Sequence, residues 1–268
     1  MSLLVKGARD GRDIVTVTPA SAGWRYVGFS AHRLAAGERL AVESQPGREL
    51  CVVVLGGMVT VRCGDVEYRE IGQRRTVFED LAPFAVYSPG LAPVAVQAHV
   101  GAEVALCSAP GSGRLPARLI EPGTMRRTVR GVELNARQVT DILPEDQPAD
   151  SLLVAEVRTP AGHSSSYPPH RHDRLAPPDE TLLEETYFHR IDPPQGFVFQ
   201  RVYTDERDLD EAHAVEDRDV VCVPRGYHPV VVPWGYESYY LNVMAGPRRS
   251  WRFRNDPAHE WILHRPRR

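Results

Sequence analysis

Apolar residues along the chain come in short runs rich in Val, Tyr, Phe and Leu, broken every few positions by Gly, Pro or Asp. ELCVVVLGGMVTVRCG (49–64), FAVYSPGLAPVAVQAHV (84–100), GFVFQRVYT (196–204), DVVCVPRGYHPVVVP (219–233) and SYYLNVMAG (238–246) all have this form. Runs of that length and composition between turn residues predict strands. Long stretches with a 3.6-residue apolar period are missing, and 23 prolines work against extended helices. The exception is LNARQVTDILPED, Leu134–Asp146, which is predicted as a short helix or turn between two halves. The expected class is all-β, in barrels or sandwiches.

A weak internal repeat supports two such units. Val86-Tyr87-Ser88-Pro89-Gly90-Leu91-Ala92-Pro93-Val94 overlays Val221-Cys222-Val223-Pro224-Arg225-Gly226-Tyr227-His228-Pro229-Val230 with one residue inserted, and Ala92 then stands where His228 stands. Shared turn chemistry explains part of the match. The first half also lacks a His-x-His pair, so the overlay suggests a duplicated barrel whose first copy holds no metal. The boundary is placed within 125–150, giving units 1–135 and 136–268.

Length and charge narrow the picture. A chain of 268 residues with 42% hydrophobic content has room for two cores. With a formal net charge of -3 and no basic stripe, nucleic-acid binding is not expected. MSLLVKGARD has no leader-like apolar run and no stretch of 18 apolar residues follows, so a cytoplasmic protein away from membranes is expected. Cys51, Cys63, Cys107 and Cys222 have no CxxC spacing and read as packed thiols. Lys6 is the only lysine and lies in a segment expected to fray, which argues against Schiff-base catalysis. No glycine-rich phosphate loop is present.

The chemistry concentrates in the second half. In an extended strand, side chains two apart share a face, so His170 and His172 of Tyr167-Pro168-Pro169-His170-Arg171-His172-Asp173 can address one ion. In Glu184–Ile191 the same alternation puts Glu185, Tyr187 and His189 on one face and Glu184, Thr186, Phe188 and Arg190 on the other. Pro224-Arg225-Gly226-Tyr227-His228 forms a turn that presents His228 at the start of a strand. Three imidazoles and a carboxylate suit one divalent ion per chain, Zn, Mn, Fe, Ni or Co, with coordination positions left for substrate. Twelve residues separate His172 from Glu185, so Glu184 and Glu180 compete for the carboxylate position.

The order His170, His172, Glu185, Pro224, Gly226, His228, Asn242 resembles the two motifs of cupins, although cupins usually place only three or four residues before the Glu. More closely, YPPHRHDRLAPPDETLLEETYFHRIDPPQGFVFQRVYT and VPRGYHPVVVPWGYESYYLNVMAG are similar to the 5-deoxy-glucuronate isomerases of myo-inositol catabolism. The Glu-x-Tyr-Phe segment is also similar to that of the 4-deoxy-5-keto-uronate isomerases, where this Glu is a metal ligand, and that favours Glu185. The resemblance implies a bicupin of two jelly-roll barrels. It also implies an aldose–ketose isomerisation of 5-deoxy-D-glucuronate to 5-dehydro-2-deoxy-D-gluconate.

Such a reaction needs charge on a developing enediolate and a base that moves a proton between neighbouring carbons. Glu184, Tyr187 and His189 are the candidate bases. Arg171, Arg174, Arg201 and Arg225 are the candidate partners for the substrate carboxylate. Tyr240 and Asn242 share a strand face and can meet hydroxyls, with Tyr239 and Leu241 packing behind. His213, in the acidic run DERDLDEAHAVEDRD, is expected in a solvated loop, and the basic tail His264–Arg268 is expected to fray. A 4-deoxy-5-keto-uronate isomerase, a metal-dependent dioxygenase and a non-catalytic sugar-binding cupin fit the same features. Exposed strand edges allow a homo-oligomer.

Overall fold

The computed structural model describes residues 2–264. Nearly all its regular structure is strand, and Pro19–Ala22 is the single α-helical turn among the described residues. Each half pairs a large sheet with a four-stranded one. In the first half the large sheet runs Arg118–Ile120, Ala85–Ser88, Arg48–Gly56, Ala102–Pro110, Gly28–Leu34, Asp13–Val17. Its smaller partner runs Arg39–Val42, Val94–Ala98, Val59–Cys63, Val66–Ile71. In the second half the seven-stranded sheet runs Leu4–Val5, Val220–Val223, Glu184–Asp192, Glu237–Ala245, Leu153–Thr159, Arg137–Leu143, Arg126–Arg130. Ser164–Ser165, Val230–Val231, Phe197–Tyr203 and Asp210–Glu216 make the smaller sheet. The sheet order carries Leu4–Val5 and Arg126–Arg130 into the second half.

Strand alternation sorts the apolar residues into separate cores. Val52, Val54, Val61 and Val96 fill the inside of the first half, and Val198, Val202, Val221 and Val230 that of the second. A further core lies between the two large sheets, where Phe29 of one half meets Phe188 of the other with ring centroids 5.3 Å apart. The large-sheet strands are therefore buried on both faces, which is why they read as near-continuous apolar runs. Within this contact Arg74 and Glu156 form a buried ion pair at 2.8 Å, and Tyr239 donates its hydroxyl to the same carboxylate at 3.1 Å.

Three local expectations are corrected. Leu134–Asp146 is not helical: a 3-10 turn at Glu133–Asn135 leads into the strand Arg137–Leu143, whose neighbours on both sides satisfy its backbone. Ladder bonding and burial of Val139 and Ile142 outweigh a modest helix preference there. The N-terminal segment does not fray. Leu4–Val5 pairs with Val220–Val223, and Lys6 Nζ contacts Asp219 at 2.9 Å and Glu216 at 3.2 Å. The acidic run is not a loop throughout, since Asp210–Glu216 is an edge strand with His213 opposite Gln200. Charge along an exposed edge is a common guard against further strand pairing. At the other end His264 closes a 3-10 turn, Glu260–His264, and the rest of the predicted tail, 265–268, lies outside the described residues. All four cysteines are free and buried. No helix among the described residues is long and apolar enough to cross a membrane.

Candidate active site

Three separate pieces of backbone deliver the imidazoles. His170–Arg171 is a short strand paired with Arg254–Asn255, and His172 follows it. His228 follows the turn at Gly226, whose φ of 90° is in the left-handed region and whose added Cβ would lie 2.5 Å from the Tyr203 carbonyl oxygen. Only glycine fits there. The ligand nitrogens of His170, His172 and His228 lie within 4.8 Å of one another, and all three residues are buried. Glu185, also buried, places Oε2 3.0 Å from His172 Nε2 and 3.2 Å from His228 Nε2.

The twelve-residue spacing is absorbed by a closed loop. Leu183 donates its N–H to the His172 carbonyl at 2.9 Å, so the chain leaves and returns at the same place. Glu185 then follows on the interior face. Glu180 is occupied inside the loop, where its Oε1 accepts the N–H groups of Asp173 and Arg174 at 3.0 and 3.2 Å.

The donor set fits a metal ion. His172 Nδ1 faces the Leu183 carbonyl at 3.1 Å and His228 Nδ1 faces the Gly226 carbonyl at 2.8 Å. Carbonyls only accept, so in the neutral rings both protons sit on Nδ1 and both Nε2 atoms present bare lone pairs. Those lone pairs meet an acceptor-only carboxylate, and His228 Nε2 is buried without a hydrogen-bond partner. A shared cation resolves this arrangement. Burial, the neighbouring imidazoles of His228 and His172, and Arg137 hold His170 well below the ordinary imidazole range, which keeps a nitrogen free to coordinate. Burial would push the Glu185 carboxyl up, but His172 and His228 outweigh it and hold it low.

A cavity of about 290 Å³ opens beside His170. Tyr187, Tyr240, Asn242 and Ser166 line it. The Ser166 hydroxyl lies 2.9 Å from the Tyr187 hydroxyl and 3.5 Å from that of Tyr240. Burial and the Glu185 and Tyr240 charges push the Tyr187 phenol well above its usual value, so it stays a proton donor at neutral pH. The Asn242 amide nitrogen is buried with no hydrogen-bond partner. A second cavity, of about 320 Å³, lies in the first half beside Arg48 and Ser108. No cluster of three metal-ligating side chains accompanies it among the described residues.

Other expected site residues are placed elsewhere. Glu184 turns toward the first half, where its carboxylate accepts the N–H groups of Arg25, Tyr26 and Val27 at 2.7, 2.7 and 3.1 Å. His189 is stacked behind Tyr187 and held by Gln200 Oε1 at 2.8 Å, away from the cavity wall, and burial lowers it to about 4. Arg171 and Arg174 both pair with Asp205, Arg201 with Asp210 and Arg225 with Asp208. None of the four lines the cavity. Among the described residues two arginines do, Arg130 and Arg137. Sequence reasoning missed Arg137 because 134–146 read as a helix or turn, whereas strand alternation sets it on the same face as the barrel-facing Val139, and it missed Arg130 because only the cross-strand register brings that residue opposite Arg137.

The sequence matches the model of the KduI/IolB family over residues 3–262. The chain belongs to this family. Among family relatives, a Geobacillus thermodenitrificans protein named 5-deoxy-glucuronate isomerase is 51% identical over 251 residues, covering 94% of this chain and 91% of its own. The protein of the same name from Bacillus subtilis strain 168 is 48% identical, covering 93% and 92%. The crystal structure of an IolB-like protein from Salmonella typhimurium LT2 superposes with a TM-score of 0.96 at 49% identity, covering 98% of this chain and all of that one. The resemblance read from the motifs holds, and the chain is an isomerase. Lactobacillus farciminis oxalate decarboxylase, 12% identical with a TM-score of 0.66 over 99% of this chain and 91% of its own, shares the fold alone. That likeness agrees with the expected bicupin.

Proposed function

We propose that this chain is a 5-deoxy-glucuronate isomerase of myo-inositol catabolism, converting 5-deoxy-D-glucuronate to 5-dehydro-2-deoxy-D-gluconate. One observation carries the reading: the buried His170, His172, His228 and Glu185 converge at a cavity lined by hydroxyls and an unpartnered amide. The names of relatives at about half identity support the substrate. In the reaction a carbon-bound hydrogen leaves C2 and one is gained at C1, while the O2 proton is transferred to O1.

His170, His172, Glu185 and His228 would hold the divalent ion, one of Zn, Mn, Fe, Ni or Co. Once bound, that ion supplies Lewis-acid charge where negative charge develops on oxygen. Tyr187, the one candidate acid or base that lines the cavity, donates its proton to a reacting oxygen through the Ser166 hydroxyl as the O2 proton passes to O1. Asn242 offers its amide to a substrate hydroxyl, and the apolar Val139 and Val157 keep water from the site. The first barrel, built from residues within 1–135, serves as a metal-free scaffold for the second, built from 136–268 together with Leu4–Val5 and Arg126–Arg130. The protein works in the cytoplasm, without membrane or nucleic-acid partners.

The test is anaerobic incubation with 5-deoxy-glucuronate and, separately, 4-deoxy-5-keto-uronate, before and after chelation, with elemental analysis of the same sample. Conversion of the first substrate, lost on chelation and regained with metal, is expected. Turnover of neither sugar sinks the reading.

A further inference from the structure

The cavity beside His170 has a charge pattern that its metal centre does not account for. No Asp or Glu lines it, while Arg130 and Arg137 both do. These two arginines lie directly opposite each other on adjacent antiparallel strands. Like charges in that position repel, and the arrangement is relieved by an anion between or beside them. Arg130 is partly occupied, with a guanidinium nitrogen 3.5 Å from Asp141 and its plane over the Trp251 ring at 5.3 Å.

Arg137 is different. One nitrogen, Nη1, makes all its hydrogen bonds, to the Asn135 carbonyl at 3.0 Å, the Asn135 side-chain oxygen at 3.1 Å and the Tyr167 carbonyl at 3.4 Å. Among the described residues no carboxylate pairs with it. Among the described residues its Nε and Nη2 donors make no hydrogen bond, neither is a sealed, unsatisfied atom, and Arg137 lines the cavity. Asn135 is itself fixed by donating to the Tyr167 carbonyl at 2.7 Å. The result is a guanidinium clamped at one corner, with two parallel donors that no described residue accepts.

We infer that Arg137 is the residue that binds the carboxylate of the sugar-acid substrate, taking both oxygens on Nε and Nη2. This rests on the isomerase reading and adds the polarity of binding. The carboxylate end lies toward Arg137 and the reacting carbonyl end toward His170, since one cavity holds both residues. A planar fork is the geometry that carboxylates accept best. Specificity for uronates over neutral sugars then comes from an otherwise uncompensated charge.

The test compares wild type, Arg137→Met and Arg137→Lys for kcat and KM with 5-deoxy-glucuronate. It also measures calorimetric binding of glucuronate against its neutral amide, and metal content. Arg137→Met is expected to raise KM by about 10- to 100-fold, the worth of a lost charged hydrogen-bond pair. It should also abolish the preference for glucuronate over the amide and leave metal content unchanged. Arg137→Lys keeps the charge but loses the fork, and should recover part of both. Should Arg137→Met not fold, the lysine variant decides: unchanged KM and unchanged carboxylate preference overturn the proposal. So does a methionine variant that still prefers glucuronate. If the wild type binds glucuronate through Arg137 but turns over no sugar, the isomerase reading falls and the anion site stands.

Discussion

Leu183 and His172 bond each other twice, the Leu183 N–H to the His172 carbonyl at 2.9 Å and the Leu183 carbonyl to His172 Nδ1 at 3.1 Å. The first bond closes the inserted loop and the second orients the imidazole, so one residue pair sets both the return of the chain and the direction of Nε2. Glu185 reaches the histidines because of this closure.

The loop's own anchor is Glu180, buried with its Oε1 on two backbone N–H groups and 3.4 Å from Arg171 Nε. Glu180→Ala leaves these donors buried and unpaired. A loss of about 1–3 kcal/mol in unfolding free energy is expected, with reduced metal occupancy because Glu185 is less well placed. Urea denaturation and elemental analysis measure the two effects.

Replacing Glu185 by Gln removes the one anion among the three imidazoles. Even a residue that only supports a ligand costs about 10- to 100-fold in metal affinity or activity, so a loss beyond 100-fold in metal affinity is expected. A competitive chelator titration checks it, and a variant that binds metal as tightly as wild type contradicts the ligand assignment.

Tyr187→Phe deletes one hydroxyl from the chain through Ser166 without changing the packed ring. A fall in kcat of about 10²- to 10⁴-fold is expected for loss of a proton-transfer group, with metal content and melting temperature nearly unchanged. A kcat within a few-fold of wild type would remove Tyr187 from the mechanism.

His189 supplies a pH dependence of stability. Burial depresses it from the ordinary 6.5 to about 4, so it is neutral in the folded chain while the unfolded chain takes up a proton first. Its contribution is fully present above about 6.5 and is lost as pH falls toward 4, with an upper bound of about 3 kcal/mol. Denaturation between pH 7 and 4.5 should show less loss in His189→Gln than in wild type. Equal slopes for the two proteins would exclude the assignment.

Arg74, in the segment after Val66–Ile71, and Glu156 of the strand Leu153–Thr159 tie the two halves together from within a buried contact. Breaking a buried pair from one side costs about 3–5 kcal/mol, whereas apolar replacement of both partners is close to neutral. Glu156→Leu alone should therefore destabilise strongly, and Arg74→Met with Glu156→Leu much less, as read from a double-mutant cycle of urea midpoints.

Much of this was legible in the chain. Alternation of side chains along extended segments put Glu185 and Tyr187 on one face of Glu184–Asp192 and Glu184 and Phe188 on the other, and the faces were right because a strand's period leaves no freedom once its register is set. The order of the histidines and the glycine turn before His228 were likewise local. Helix at 134–146 was misread because propensity over so short a span is weak against two neighbouring strands.

The sequence by itself determined the strands, their faces, the metal-suited residue set and the family, since each depends on residues close in the chain or on a fixed period. Tertiary structure decided which faces meet. It sent Glu184 to the backbone of 25–27 in the other half, matched four motif arginines with acids outside the cavity, and left Arg137 beside His170 with no carboxylate partner among the described residues. Charge pairing acts through space across sheets, and no periodicity along the chain records which distant strand will lie opposite.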